Sequence, residues 1–402
     1  MSTGALERGA RAAARPDGGG LNRRQVHGVA ACYFVASFAA LGLPPYLTEI
    51  LPALGDREGH WAGLLYVVPT VFSALGAPLW GRLADRFGRK RLLLRAQLGL
   101  TVSFLLAGAA DSLPAFTAAL VLQGFLGGTF AATNGYLGAA LRGSDLSRAL
   151  TLMQGSARAS LVAAPVLVGA LSPWLPPHRQ YLLMAVLPLA AAVLLAFLPE
   201  PEPARPAGGG AAEQPAGPAP VRLLRLLYAF EFAFVFATVV SFPYLVALVE
   251  QRLPGVSGTV AGVLFALPHL VYLLTAGRVH HLFHQRPRTG LLASFALVGL
   301  GLAGHGAAHA LPALVLARAV LGAGLTLGLV CLSVLAAAAA EGRAPGRMFG
   351  TLELVSKGGA VAAGAVAAVV NGAFGPTAPV LAGTAAAALA AVLVLLTRWS
   401  PR

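Results

Sequence analysis

Gly81-Arg-Leu-Ala-Asp85-Arg-Phe-Gly88-Arg-Lys-Arg91 is the stretch on which the reading of this chain turns. It compresses one acid, two glycines and five basic residues into a connection too short to be a domain. The apolar runs on either side, roughly 60–81 and 92–110, are each about as long as a helix needs to be to cross a hydrocarbon core. A charged turn between two such runs lies at a membrane surface.

Composition leads to the same place. Of 402 residues, 57% are hydrophobic and only 11% are charged, and the mean hydropathy is +0.74. Soluble domains carry about 25% charged residues, so this chain has too little polar surface for a water-facing exterior. Twelve apolar segments can be read, at approximately 26–47, 60–81, 92–110, 115–140, 150–171, 179–198, 225–249, 257–280, 289–309, 312–339, 349–371 and 377–397. The expected fold class is therefore an all-α membrane protein of twelve transmembrane helices. Alternating ten-residue segments of the outer-membrane barrel type are absent.

The net charge of +14 follows from topology. With the N-terminus inside, only Arg57, Arg179 and Arg252 fall on the outer side, and Arg158, Arg318 and Lys357 lie within helices. The other Lys and Arg residues gather in alternate loops, as the positive-inside rule requires, which places both termini in the cytoplasm. No nucleic-acid partner is implied. Cys32 and Cys331 occupy separate helices and make no disulfide framework. Residues 1–25 lack an apolar core and read as a cytoplasmic tail, with 398–402 as the other terminus. The two bases that are lysine, among 29 basic residues, fit a GC-rich genome and a bacterial inner membrane.

The 81–91 turn closely resembles the signature G-x-L-a-D-r-x-G-r-k-r between helices 2 and 3 of the major facilitator superfamily. That resemblance implies two pseudo-symmetric six-helix bundles that rock around a central site. It also implies a conformational gate at Gly81, Asp85, Arg86, Gly88 and Arg89, in which Gly81 packs on helix 11 and the charges close the cytoplasmic side.

An internal repeat supports two halves. Residues 199–222, rich in Pro, Gly and Ala, read as a flexible linker between bundles at 26–198 and 223–397. At an offset of 198, Phe34, Phe38, Ala39, Pro45, Tyr46 and Leu47 match Phe232, Phe236, Ala237, Pro243, Tyr244 and Leu245. Nearby offsets bring Pro69 onto Pro268 and Gly81-Arg82 onto Gly277-Arg278. Repeat-built transporters bind substrate near the midplane between their repeats.

Intramembrane charges mark candidate function. Gln154 aligns with Glu353 and Arg158 with Lys357, so helices 5 and 11 each present a polar residue and a cation one turn apart. Facing each other, Arg158 and Lys357 would clamp a carboxylate or phosphate. The competing reading is a local Glu353–Lys357 ion pair. Glu231 is the first proton-coupling candidate and Glu353 the second; pairing with a cytoplasmic Arg is the structural alternative for Glu231. Arg318 opens an R-x-x-x-G pattern in helix 10, and the aligned helix 4 position is Gln123, where the family commonly has Arg. Tyr46, Tyr136, Tyr244 and Asn134 are expected at the cavity, suiting an organic substrate. His269 reads better as a packing residue than as a sensor, and no metal or cofactor is expected.

The expected function is proton-driven export of a small organic, anionic metabolite of the carboxylate siderophore kind, by a monomer. Short segments in helices 1 and 5 resemble exporters, the latter keeping Pro165 and Gly169. The alternative is a broad multidrug efflux antiporter. An enzyme is disfavoured because no H-E-x-x-H, nucleotide loop or Ser/His/Asp set occurs.

Overall fold

A computed structural model describes residues 21–141, 143–200, 221–340 and 345–397. The expected tails and most of the 199–222 linker lie outside the described residues. Twelve helical units follow in order, and every described regular element is helical. The first half comprises α1 (Arg23–Gly42), α2 (Ala62–Phe87), α3 (Arg89–Ala109), α4 in two pieces (α4a Leu113–Leu126, α4b Thr129–Ala140), α5 (Gly143–Leu171) and α6 in two pieces (α6a Pro177–Met184, α6b Val186–Ala196). The second comprises α7 (Val221–Val239), α8 (Gly258–Phe283), α9 (Pro287–Ala307), α10 (Leu311–Ala340), α11 (Pro345–Phe374) and α12 (Ala378–Leu396).

Among the described residues, eleven helices are long and apolar enough to cross a membrane. The exception is α5, which the sequence places among the apolar segments. Its polar run Gln154, Ser156, Arg158 and Ser160 dilutes its apolar character, although its 29 residues exceed what a span requires.

The repeat is visible in the backbone. Helix α1 ends in a 3-10 turn at Pro44–Tyr46, and α7 is followed by one at Phe242–Tyr244, 198 residues later. Each turn leads into a short helix, Leu47–Ile50 in one half and Leu245–Arg252 in the other. Proline at the first turn of each supplies a fixed φ and needs no donor there. The two halves meet mainly through α5 against α8 and α2 against α11.

Helix 4 is not the continuous 115–140 segment that its apolarity suggests. Gly128 adopts φ 76°, a left-handed conformation that suits glycine, and the α-helical ladder stops at Leu126. Inside a bilayer the freed carbonyls need partners. Trp80 Nε1 donates to Phe125 O at 2.6 Å, while Arg95 donates to Leu126 O at 2.6 Å and Gly127 O at 3.4 Å. The Arg95 guanidinium lies 3.5 Å from the Trp80 ring centroid, so the two caps also support each other.

The second half solves a related problem differently. Pro268 lacks an amide hydrogen and so frees Leu264 O, one turn earlier. Arg318 Nε donates to that oxygen at 2.6 Å and its Nη2 to Phe265 O at 2.7 Å. With a relative exposure of 0%, Arg318 is buried and caps backbone carbonyls. As an intramembrane charge Arg318 is also, from the sequence, a candidate for substrate contact; the fold sets its Nε and Nη2 against α8 instead, and its Nη1 is buried without a described partner.

Replacing Arg318 with Met leaves buried carbonyls unpaired and is expected to cost about 2–3 kcal/mol, seen as a lower melting temperature in detergent. Pro268→Ala restores a donor to Leu264 O, so in that background the loss should shrink by about 1 kcal/mol. Equal losses in both backgrounds would detach Arg318 from the proline.

Candidate functional site: a central cavity sealed at one face

The two membrane faces of the molecule differ. The turn face carries the 81–91 segment; the far face carries the 55–61 connection between α1 and α2. The 81–91 segment is not an extended turn as its charge suggests, because α2 runs to Phe87 and α3 starts at Arg89 with Gly88 alone between them. At the far face the halves are fused by one apolar core. Tyr46, Leu47, Ile50, Phe104, Phe116 and Tyr181 pack there with Tyr244, Leu245, Phe265 and Ala367. Small residues allow backbone contact across the seam. A methyl added at Gly63 of α2 would lie 2.6 Å from Gly364 O of α11, and one at Gly169 of α5 would meet the Gly258 carbonyl of α8.

Tyr46 and Tyr244 pin this seam as repeat mates. The Tyr46 hydroxyl donates to Pro165 O at 2.6 Å and lies 3.1 Å from Gly258 O, bridging α5 and α8. Tyr244 donates to His60 O at 3.0 Å and accepts from Gly63 N at 3.0 Å, at the start of α2. Both side chains are buried. Neither lines the central cavity, contrary to the expectation of substrate contact, because both hydroxyls are committed to backbone. Tyr136 likewise is buried and bonds Pro199 O at 2.8 Å.

Towards the turn face the halves part. Neither Gly81 nor Gly277 has an atom of a described residue within 4 Å of where a Cβ would be. The packing of Gly81 on α11, expected when the turn face closes, is not seen among the described residues in this state, in which the far face is closed. Gly88 has φ 96° and supplies the left-handed bend between α2 and α3. Arg86 sits over the Phe87 ring at 5.3 Å, and Arg89 Nη1 donates to Gly135 O at 3.3 Å. The side chain of Asp85 lies outside the described residues.

Between the halves is a cavity of about 640 Å³. Tyr66, Pro69, Thr70, Ser73 and Ala77 form one stripe of α2 along it, and Gln123, Asn134 and the α4 break continue the same wall from the helix packed beside it. From the second half come Glu231 of α7 and Leu352, Glu353, Ser356 and Lys357 of α11. Ser356 lies beside the Glu231 carboxylate on this wall. Lys357 Nζ lies 3.5 Å from Glu353 Oε1, the intrahelical pair that the sequence held open as the alternative to a clamp. No cation among the described residues lies within ion-pair distance of Glu231.

Arg158 is placed elsewhere. Its Nη1 lies 3.5 Å from His269 Nδ1 and its guanidinium 5.5 Å from the Tyr272 ring, within the α5–α8 seam. Neither Arg158 nor Gln154 is among the cavity-lining residues, so the two-cation clamp of Arg158 and Lys357 is not formed in this state. The repeat relates the two positions, but the halves deploy them differently. His269 is buried against Phe242 and Phe265, a packing position.

The α2 stripe escaped the sequence reading. Tyr66, Thr70, Ser73 and Ala77 recur at helical spacing, which gave a signal in principle. Hydroxyl and small residues are common in membrane helices, however, and do not stand out as a charge does.

A chain of membrane-crossing helices in two related halves around a closed-ended central cavity has the architecture of a solute carrier. Residues 29–303 match the Major Facilitator Superfamily, and the chain belongs to that family. It is 33% identical over 168 residues to the multidrug resistance protein MdtG of Serratia proteamaculans, covering 41% of this chain and 39% of that protein. To MdtG of Yersinia enterocolitica serotype O:8 it is 34% identical over 169 residues, covering 41% and 39%. The chain thus aligns with about two fifths of the length of these curated relatives. Among solved structures, a POT family transporter in complex with 5-aminolevulinic acid superposes with a TM-score of 0.75 at 12% identity, over 93% of this chain and 96% of that one. A bacterial homologue of the human lysosomal transporter Spinster, inward-facing and unoccupied, gives 0.74 at 15% identity, over 95% and 100%. At these identities the superpositions show the fold.

Tyr46→Phe and Tyr244→Phe each remove a hydroxyl from the seam. Each is expected to shift the equilibrium about fivefold towards a form open at the far face, the equivalent of about 1 kcal/mol. Alkylation of a Ser73→Cys reporter from the far face, in a background lacking Cys32 and Cys331, measures this. Unchanged labelling in the double variant would mean that the hydroxyls do not hold the seal.

Proposed function

We propose that the chain is a broad-specificity exporter of small organic compounds, driven by protons entering in exchange. Its turn face would be cytoplasmic, with both termini there, in a bacterial inner membrane. The observation that carries the reading is Glu231: a carboxylate on the wall of a largely apolar cavity, beside Ser356, with no described cation paired to it. A carboxylate so placed suits alternating occupation by a proton and by a lipophilic, positively charged or polar substrate. The similarity to MdtG proteins over part of the chain supports efflux of several compounds. The narrower expectation of a carboxylate siderophore gives way, because Arg158 and Arg318 are committed to seams rather than to the cavity wall. Glu353, held beside Lys357, offsets that cation and leaves the Glu231 carboxylate as the second half's remaining described charge on the cavity.

In this cycle the described state, closed at the far face, receives substrate from the cytoplasm. The 81–91 turn would then set the balance between states by packing on the opposite half when the turn face closes. The chain would work as a monomer, since one chain supplies both halves of the cavity.

Glu231→Gln is expected to reduce proton-driven efflux of a fluorescent lipophilic cation from everted vesicles by about tenfold or more, as a general acid–base group should when removed. Substrate-for-substrate exchange, which needs no net proton movement, should persist. Full proton-driven efflux by this variant would exclude Glu231 as the coupling group.

A further inference from the structure

Pro69 of α2 and Pro268 of α8 are repeat mates, and each lacks the amide hydrogen that would bond the carbonyl four residues earlier, Leu65 O in one half and Leu264 O in the other. In the second half Arg318 of α10 donates to Leu264 O at 2.6 Å. Helix packing identifies the residue that holds Arg318's place in the first half. A methyl added at Gly322 of α10 would lie 2.9 Å from Pro268 Cα and 2.9 Å from Val271, three residues on. One added at Gly124 of α4a would lie 2.8 Å from Pro69 Cα and 2.9 Å from Phe72, again three residues on. Gly124 thus stands where Gly322 stands. Arg318 precedes its glycine by four residues, and the residue four before Gly124 is Leu120. The contacts therefore move the match about one turn from the ungapped sequence alignment, which pairs Arg318 with Gln123.

A leucine has no donor to offer a freed carbonyl. Leu65, Pro69 and Leu120 all line the central cavity, and Leu65 lies one turn before Pro69 on the same face of α2. The oxygen that loses its helical partner at Pro69 is therefore placed at the cavity wall, without the arginine that covers its counterpart. One turn further along α4a, Gln123 lines the same wall while only 9% exposed. Its Oε1 is buried without a hydrogen-bond partner among the described residues. The wall built by α2 and α4a thus carries two acceptors and, among its described lining residues, no charged side chain.

An acceptor left unpaired inside a bilayer is costly, and a ligand N–H that reaches it recovers the bond. We propose that Leu65 O, bared by Pro69 and left uncapped by Leu120, is the acceptor through which the central cavity selects substrates that carry N–H donors, with Gln123 Oε1 as its neighbour. The ligand class is organic cations with amino or amidino groups. Their charge lies against Glu231 of the second half and an N–H against the α2 wall. A carboxylate brings only further acceptors to this wall and gains nothing there. The proposal rests on the export reading above and names the chemistry that its substrates share.

Ethidium and its analogue lacking both ring amino groups are permanent cations of the same shape, so together they separate the N–H from the charge. Each is titrated into the full-length protein in phosphatidylcholine nanodiscs, and its affinity is read by calorimetry. Ethidium is expected to bind about tenfold tighter, the equivalent of one hydrogen bond to a buried acceptor. Pro69→Ala returns an amide donor to Leu65 O, and Leu120→Arg supplies the cap that Arg318 gives the other half. Each should bring the ratio of the two affinities close to one, while Leu120→Met should keep it. The added arginine repels both cations, so the ratio rather than either affinity is the readout. If Pro69→Ala does not fold, Leu120→Arg decides. A wild-type ratio near one, or a ratio unchanged in the folded variants, overturns the proposal and leaves export of organic cations standing, because both ligands still bind. Binding of neither cation to the wild-type protein overturns both.

Discussion

A backbone carbonyl freed inside a bilayer has no water to turn to, and this constraint organises much of the molecule. Cavities between membrane helices require helices that bend or break, and bends free carbonyls. The chain meets the cost with polar side chains, one of which, Arg318, stands out in the sequence as a candidate functional charge. Arg318 is spent on the α8 carbonyls released around Pro268, and Arg95 with Trp80 on those at the end of α4a. An intramembrane arginine is thus as much a solution to a packing problem as a sign of function.

The two halves share an ancestor's plan but not its details. Each places a proline, a tyrosine and a 3-10 turn at the same point, and each tyrosine reaches the backbone of the seam. Beyond that they diverge. Helix α10 runs unbroken past Arg318, whereas helix 4, with Gln123 at the aligned position, breaks one turn later at Gly127 and Gly128. The asymmetry leaves the first half with a broken helix and basic residues, and the second with Glu231, Glu353 and Lys357 on the cavity wall.

Closure at the far face depends on closeness of backbone more than on charge. Glycines at 63, 169, 258, 262 and 364 remove the side chains that would keep α2 from α11 and α5 from α8. The tyrosine hydroxyls then have carbonyls within reach. On the turn face the equivalent glycines, Gly81 and Gly277, have no described residue against them, so one rigid-body movement could exchange which end is packed.

The sequence by itself determined the membrane fold, the repeat and the family. These rest on length of apolar runs, composition and a dense local motif, none of which needs a distant contact to be read. It also put Glu231, Glu353, Lys357, Gln123 and Asn134 among the candidates that the fold places on the cavity. Only the tertiary structure decided that Arg318, Arg158, Tyr46 and Tyr244 face seams and that α4 is broken. The physical reason is that helical periodicity fixes which residues share a face, while the partner of that face is chosen by packing between segments more than a hundred residues apart. A charge in a membrane helix announces that it has a partner; whether that partner is a substrate, an acid or a freed carbonyl is settled by what the fold brings beside it.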